Sequence, residues 1–321
     1  MANETFHAQI AANQRRSLLL VAGLLALFAV TLYTLAVALL HDTQAAIVPA
    51  GLGLAGASLV AICAHQFGAS AVTAMAGART ISRDDDPQLW NVIEEMTIAA
   101  GLPMPRVALI EEDALNAFAA GPDPKRAVIA ITRGLRDSLT REELQAVVAH
   151  ELGHVRNLDI RFSTLLAVMV GMLVFMSEIA RRSFRFSGRR HSTRGRGGSG
   201  GSGGLAVVIL TLVGLLLAIL APLLGRLIQL AASREREYLA DATAVQLTRH
   251  PEALANALEK LGADATAPTE QSRALQHLYF VNPFERAREH ASALWSTHPP
   301  LAARIARLRS LVTAVRTGES R

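Results

Sequence analysis

His150 and His154 stand four residues apart in His150-Glu151-Leu152-Gly153-His154, an HExxH pattern. On a helix that spacing puts both imidazoles on one face, where they can reach a single zinc ion. Glu151, beside the first histidine, is placed to take a proton from water at the metal, as a general base. Two histidines need at least one further protein ligand. Glu237 and Asp241, in the run Ser233 to Asp241, are four apart on one helical face. One could bind metal while the other accepts a hydrogen bond from a ligand histidine; the plainer reading of the run is a solvated charge cluster. Cys63 is the single cysteine, which excludes an internal disulfide or a thiolate cluster and leaves histidine and carboxylate as donors.

The helix under the motif is well signalled. Thr140-Arg141-Glu142-Glu143 reads as a capping box, and Leu144, Val147, Val148, Leu152 and Val155 form the apolar stripe. Upstream, Asp86 can cap a helix with Pro87 at its first position, running to Gly101. Short β-rich pieces follow at Arg106–Ile110, Leu115–Ala119 and Ala127–Thr132, with Gly121-Pro122-Asp123-Pro124 as the turn between the last two. The strand Leu115–Ala119 is either an ordinary core strand or an exposed edge that an extended peptide could join. In the second case small Ala117 and Ala119 let a backbone approach and Asn116 donates to its carbonyl. Downstream, Pro251 starts a helix, and Pro299-Pro300 starts another with Ile305 and Leu308 on its apolar face. His298, beside those prolines, either caps that helix or serves the site.

At 321 residues, a 51% hydrophobic content and positive mean hydropathy point to a membrane protein with a soluble part. Residues 1–16 read as a cytoplasmic N-terminus. A transmembrane hairpin follows over 17–78, with spans at about 17–40 and 45–66. Arg15 and Arg16 before it, with Arg79 and Arg83 after it, place both ends in the cytoplasm. The next region, 79–160, carries the HExxH helix. Residues 161–232 read as a second hairpin, with spans at about 162–180 and 205–225 around an Arg/Gly/Ser loop at 181–204. Residues 233–321 return as soluble helices. The net charge of +5 is local, because seven arginines fall in that loop and the rest of the chain carries −2. Such a distribution argues against a nucleic-acid partner.

Taken in order, several segments resemble the HtpX-type membrane metalloproteases, which share their catalytic domain with the CAAX prenyl proteases. These are Leu115-Asn116-Ala117-Phe118-Ala119, the HExxH motif with Asn157 and Asp159 behind it, Ser233 through Asp241, and Thr297-His298-Pro299-Pro300 leading to Arg304-Ile305. The resemblance covers nearly the whole chain; the loop 181–204 is longer and richer in arginine and glycine than the family suggests. It implies an α-helical multi-pass membrane protein with a mostly α, zincin-like metalloprotease domain carrying a small β-sheet. It implies one zinc ion per chain on His150, His154 and Glu237, Glu151 as base, and Asp241 and Asn157 behind the ligands. Asn116, Ala117 and Phe118 would line the substrate, with His298 acting on the transition state. The implied activity is hydrolysis of polypeptides, chiefly damaged or misfolded membrane proteins, at a cytoplasm-facing site of the inner membrane. Two alternatives stand beside it: a processing protease for tails such as prenylated ones, and a zinc-binding membrane scaffold without turnover. The sequence does not specify an oligomeric state.

Overall fold

The structure, a computed structural model, describes residues 42–168, 234–264, Thr266 and 300–317, with eight helical positions between 22 and 37. In chain order the elements are helix α1 (Ile47–Met75), strand β1 (Arg79–Thr80), helix α2 (Pro87–Ala100), and strands β2 (Arg106–Ile110), β3 (Ala117–Ala120) and β4 (Val128–Thr132). Helices α3 (Arg133–Ser138), α4 (Arg141–Arg156), α5 (Arg234–Thr248), α6 (Pro251–Ala263) and α7 (Leu301–Thr317) follow. Residues 159–168 form further helical turns.

By internal contacts the chain divides into two units. One comprises Met1–Ser17, Cys63–Val168 and Ile228–Arg321; the other comprises Leu18–Ile62 and Met169–Leu227. Among the described residues one helix is long and apolar enough to cross a membrane, over Ala50–Met75. This overlaps the span expected at 45–66 but continues further. The extra turns have a different environment, because Ala69, Val72 and Ala76 are buried against the sheet. The expected spans at 17–40, 162–180 and 205–225 lie outside the described residues, apart from the eight helical positions and 162–168. The loop 181–204 lies wholly outside them.

The sheet has strand order β1-β2-β4-β3, with β2 and β4 parallel and the other pairs antiparallel. Both faces are covered, so the strands read as nearly unbroken apolar runs. Val107, Leu109, Ile129, Ile131, Ala117 and Ala119 face one core with α2, α4 and α6. The alternate residues Ala108, Ile110, Val128, Ala130, Phe118 and Ala120 face a second core with the end of α1 and Ala167. Gly68 lets residues 159–168 come close: a Cβ there would lie 2.8 Å from the Thr164 methyl.

The caps form where the sequence places them. Asp86 accepts from the Leu89 N–H at the start of α2, and Gly101 closes that helix at φ 66°. Thr140 and Glu143 make a reciprocal capping box on α4, and Lys260 of α6 reaches the Glu143 carboxylate at 2.6 Å. The strands match the expected segments within two residues. Strand β1 and helix α3 were not expected; each is short and has little periodicity to detect.

Candidate metal centre

Helices α4 and α5 meet at Gly153, between the two motif histidines. A Cβ there would lie 3.2 Å from Ala240 Cα and 3.3 Å from Thr243 Cβ. Glycine therefore lets α5 approach closely enough to bring Glu237 against the histidine pair. The Nε2 atoms of His150 and His154 are 3.1 Å apart. Glu237 offers Oε2 at 3.7 Å from His150 Nε2 and Oε1 at 3.6 Å from His154 Nε2. Donors about 2.0–2.1 Å from a tetrahedral zinc stand about 3.4 Å from one another. The three residues fit that ion in both spacing and donor type.

Each histidine is oriented from behind. His150 Nδ1 lies 2.9 Å from Asp241 Oδ1, and His154 Nδ1 lies 3.1 Å from Asp159 Oδ2. An Nδ1–H donated to carboxylate leaves the Nε2 lone pair facing the centre. Asp159 reaches His154 because the helix breaks at Leu158, whose φ of 61° redirects the chain before helical turns resume. Asp241 is itself held by Arg304 of α7, which donates from Nε at 2.9 Å and from Nη2 at 2.6 Å. Arg304 Nη1 lies 3.4 Å from Glu237 Oε2, and the residue is only 1% exposed.

Burial dominates the electrostatics of the metal-free centre. It pushes His150 down to about 4, against its hydrogen bond to Asp241. Burial also opposes charge on His154, but the Asp159 hydrogen bond and the Glu237 charge outweigh it and push that imidazole up to about 9. Burial raises Asp241 as well, yet the Arg304 charge and the His150 hydrogen bond bring it down to about 2. Glu151 is pushed up to about 7, chiefly by burial. A buried carboxyl near neutrality is suited to receiving and returning a proton.

Strand β3 is the sheet edge beside α4. The Thr132 N–H donates to the Asn116 carbonyl and sets the ladder phase. Phe118 and Ala120 then take the paired positions, and the backbone groups of Ala117 and Ala119 point to the outer edge of the sheet, which has no further strand among the described residues. The Ala119 N–H donates to the Glu151 carboxylate. The Ala117 N–H is taken by Asn116 Oδ1 at 3.0 Å. Phe118 is not brought to the site: its side chain is fully buried in the core on the opposite face. Asn157 ends α4, and its buried amide has no hydrogen-bond partner among the described residues. Asp159, two residues on, makes the contact to His154. His298 lies outside the described residues. Asp159 and Arg304 were visible in the sequence only as segments of the resemblance, with no role attached.

The profile of peptidase family M48 matches residues 83–312. A protease HtpX homologue of Listeria monocytogenes serotype 4a is 37% identical over 304 residues, spanning 94% of this chain and 99% of its own. One from Dictyoglomus turgidum is 41% identical over 248 residues, 77% of each chain. One from Tropheryma whipplei is 43% identical over 237 residues, 74% of this chain and 77% of its own. Among solved structures, S. mikatae Ste24p superposes with a TM-score of 0.41 at 22% identity, covering 77% of this chain and 55% of that one. With the HExxH helix and the converging His150, His154 and Glu237, the family match and the HtpX relatives make the chain a metalloprotease of peptidase family M48, of the HtpX type.

Proposed function

We propose that this chain is a multi-pass membrane zinc endopeptidase that cleaves damaged or misfolded membrane proteins at a cytoplasm-facing site. The observation that carries the zinc assignment is the convergence of three donors 3.1–3.7 Å apart, with both histidines held through Nδ1 by carboxylates. One ion per chain is the expected content. The apolar run of α1 and the arginines flanking the expected first hairpin support the membrane reading and the cytoplasmic side of the site.

Zinc at the three donors would supply Lewis acidity, acidifying water and polarising the scissile carbonyl. The chain's own residues supply the rest. Strand β3 offers the outward carbonyls of Ala117 and Ala119 to an extended peptide, their N–H groups being held by Asn116 and Glu151. Glu151, oriented by the Ala119 N–H, takes a proton as water adds to the carbonyl carbon. It returns that proton to the leaving nitrogen as the C–N bond breaks. His298 completes the reading as a donor to the developing oxyanion.

The test is zinc content and peptide cleavage measured together on the purified full chain. Wild type should hold one zinc and cleave an unfolded membrane-protein substrate, whereas Glu151→Gln should hold the zinc and lose turnover. Zinc binding without cleavage by the wild type would make the chain a metal-binding scaffold. Cleavage confined to prenylated tails would make it a processing enzyme.

A further inference from the structure

Helix α1 changes surroundings partway along. From Ile47 to Ile62 its apolar side chains are widely exposed, with Leu52 at 70% and Leu59 at 60%. From Gly68 onward one side is buried against the sheet, so those turns are covered by protein. Between the two lie His65, Gln66 and Phe67, the last 66% exposed. Ile47 through Gln66 is 20 residues, about 30 Å of helix, which matches the hydrocarbon thickness of a bilayer.

The sheet end at this level is basic. Arg126 donates from Nη1 to Gln66 Oε1 at 2.8 Å, and its Nη2 lies 3.4 Å from His65 Nε2. Arg106, at the start of β2, reaches Ser70 Oγ on the next turn of α1 at 3.4 Å. Lys125 precedes Arg126 in the turn, and Arg161 lies within electrostatic range of His65. All four cations are exposed. Asp123, which pairs with Arg126 at 2.7 Å, is the one acid among these contacts. Asn116 and Thr132 mark the opposite end of the sheet, on the side of the peptide-binding edge.

We propose that Arg106, Lys125, Arg126 and Arg161 form a rim that binds anionic phospholipid headgroups, with the bilayer boundary at His65–Phe67. The rim holds the base of the sheet at the level of the headgroups. The inference rests on reading α1 as a span. Its partner is a lipid phosphate because the charges cluster where an apolar helix meets a polar surface. Exposed guanidinium and ammonium groups at that level face headgroup oxygens.

The zinc-loaded full chain is reconstituted in phosphatidylcholine membranes containing phosphatidylglycerol, then recovered with its bound lipid. The anionic-to-neutral ratio of that lipid is measured by mass spectrometry against the bulk ratio. Wild type should be enriched in phosphatidylglycerol, and high salt should reduce the enrichment. Each charge removed should lower it by up to about fivefold. The triple variant Arg106→Glu, Lys125→Glu, Arg161→Glu leaves Arg126 on Asp123 and Gln66, and should return the ratio to bulk. Single Lys125→Glu, on an exposed turn, serves if the triple variant loses its zinc or its unfolding transition. A bulk ratio for wild type, or variants as enriched as wild type, would overturn the rim. Extraction of wild type from membranes by carbonate would overturn the membrane reading and the rim together, whereas retention with bulk-ratio lipid overturns the rim alone.

Discussion

Arg304 and Asp241 are 63 residues apart in sequence and make a two-pronged ion pair at 2.6 and 2.9 Å, behind a histidine that faces the metal position. The pair joins the last described helix to the helix that carries Glu237. It turns two carboxylates and an imidazole, each costly to bury alone, into one compensated cluster.

Arg304→Met should therefore do more than loosen α7. With Asp241 and Glu237 left uncompensated, the metal-free unfolding transition should fall by about 3–5 kcal/mol, the cost of breaking a buried ion pair. Zinc affinity should fall about 10–100-fold, as for other supporting contacts. Arg304→Lys should recover only part of both, because an ammonium cannot reproduce the forked contact. Unchanged zinc affinity by competition with a chelator would contradict this role.

Asp159 and Asn157 should separate cleanly. Asp159→Ala removes the acceptor at His154 Nδ1, and zinc affinity should drop about 10–100-fold. Asn157→Ala removes an amide with no hydrogen-bond partner among the described residues and should leave metal binding within about twofold. Equal losses in the two variants would mean that Asn157 also supports the ligands.

Gly153 sets the distance between α4 and α5. Gly153→Val would drive a side chain into Ala240 and Thr243, pushing Glu237 away from the histidines. Zinc should be lost while α2 and the sheet stay folded, visible as retained hydrogen-exchange protection in β2 and β4. A variant with full zinc would show that α5 can slide without cost.

Away from the metal, Asp86 caps α2 and binds Arg136 through both carboxylate oxygens, at 2.6 and 3.0 Å. Burial alone would raise its carboxyl, but the Arg136 hydrogen bonds and the Leu89 N–H hold it below the ordinary range. A lowered folded value means stability that is present above the unfolded value, near pH 4, and lost as pH falls through the folded one. Asp86→Ala should cost about 0.5–2 kcal/mol at neutral pH through the cap alone. The gap between variant and wild type in thermal transitions should close on acidification. A gap independent of pH would assign the loss to packing.

What the sequence revealed follows the range of the interactions. Local signals were legible: Asp86 with Pro87, Thr140 with Glu143, Gly101, and the four-residue spacing of His150 and His154. Strand positions came through because β-rich pieces lay between strong turn residues. Which face of a strand meets which helix was not legible, since a buried strand is apolar on both sides; Phe118, expected to line the substrate, has its side chain in the core with the end of α1. Asp159 needs a left-handed Leu158 to reach His154, and nothing marks leucine for that conformation. Arg304 reads in sequence as one more arginine on an amphipathic helix. Its burial depends on two carboxylates contributed by a different helix.

The distribution of the centre along the chain also orders events during synthesis. The two imidazoles emerge first, on α4, while the third donor and the arginine that compensates it follow by 83 and 150 residues, counted from Glu237 and Arg304 back to His154. A ribosome-bound chain that has completed the HExxH helix thus has an incomplete ligand set and an unsupported His150. Proteolytic competence is deferred until the later helices fold back.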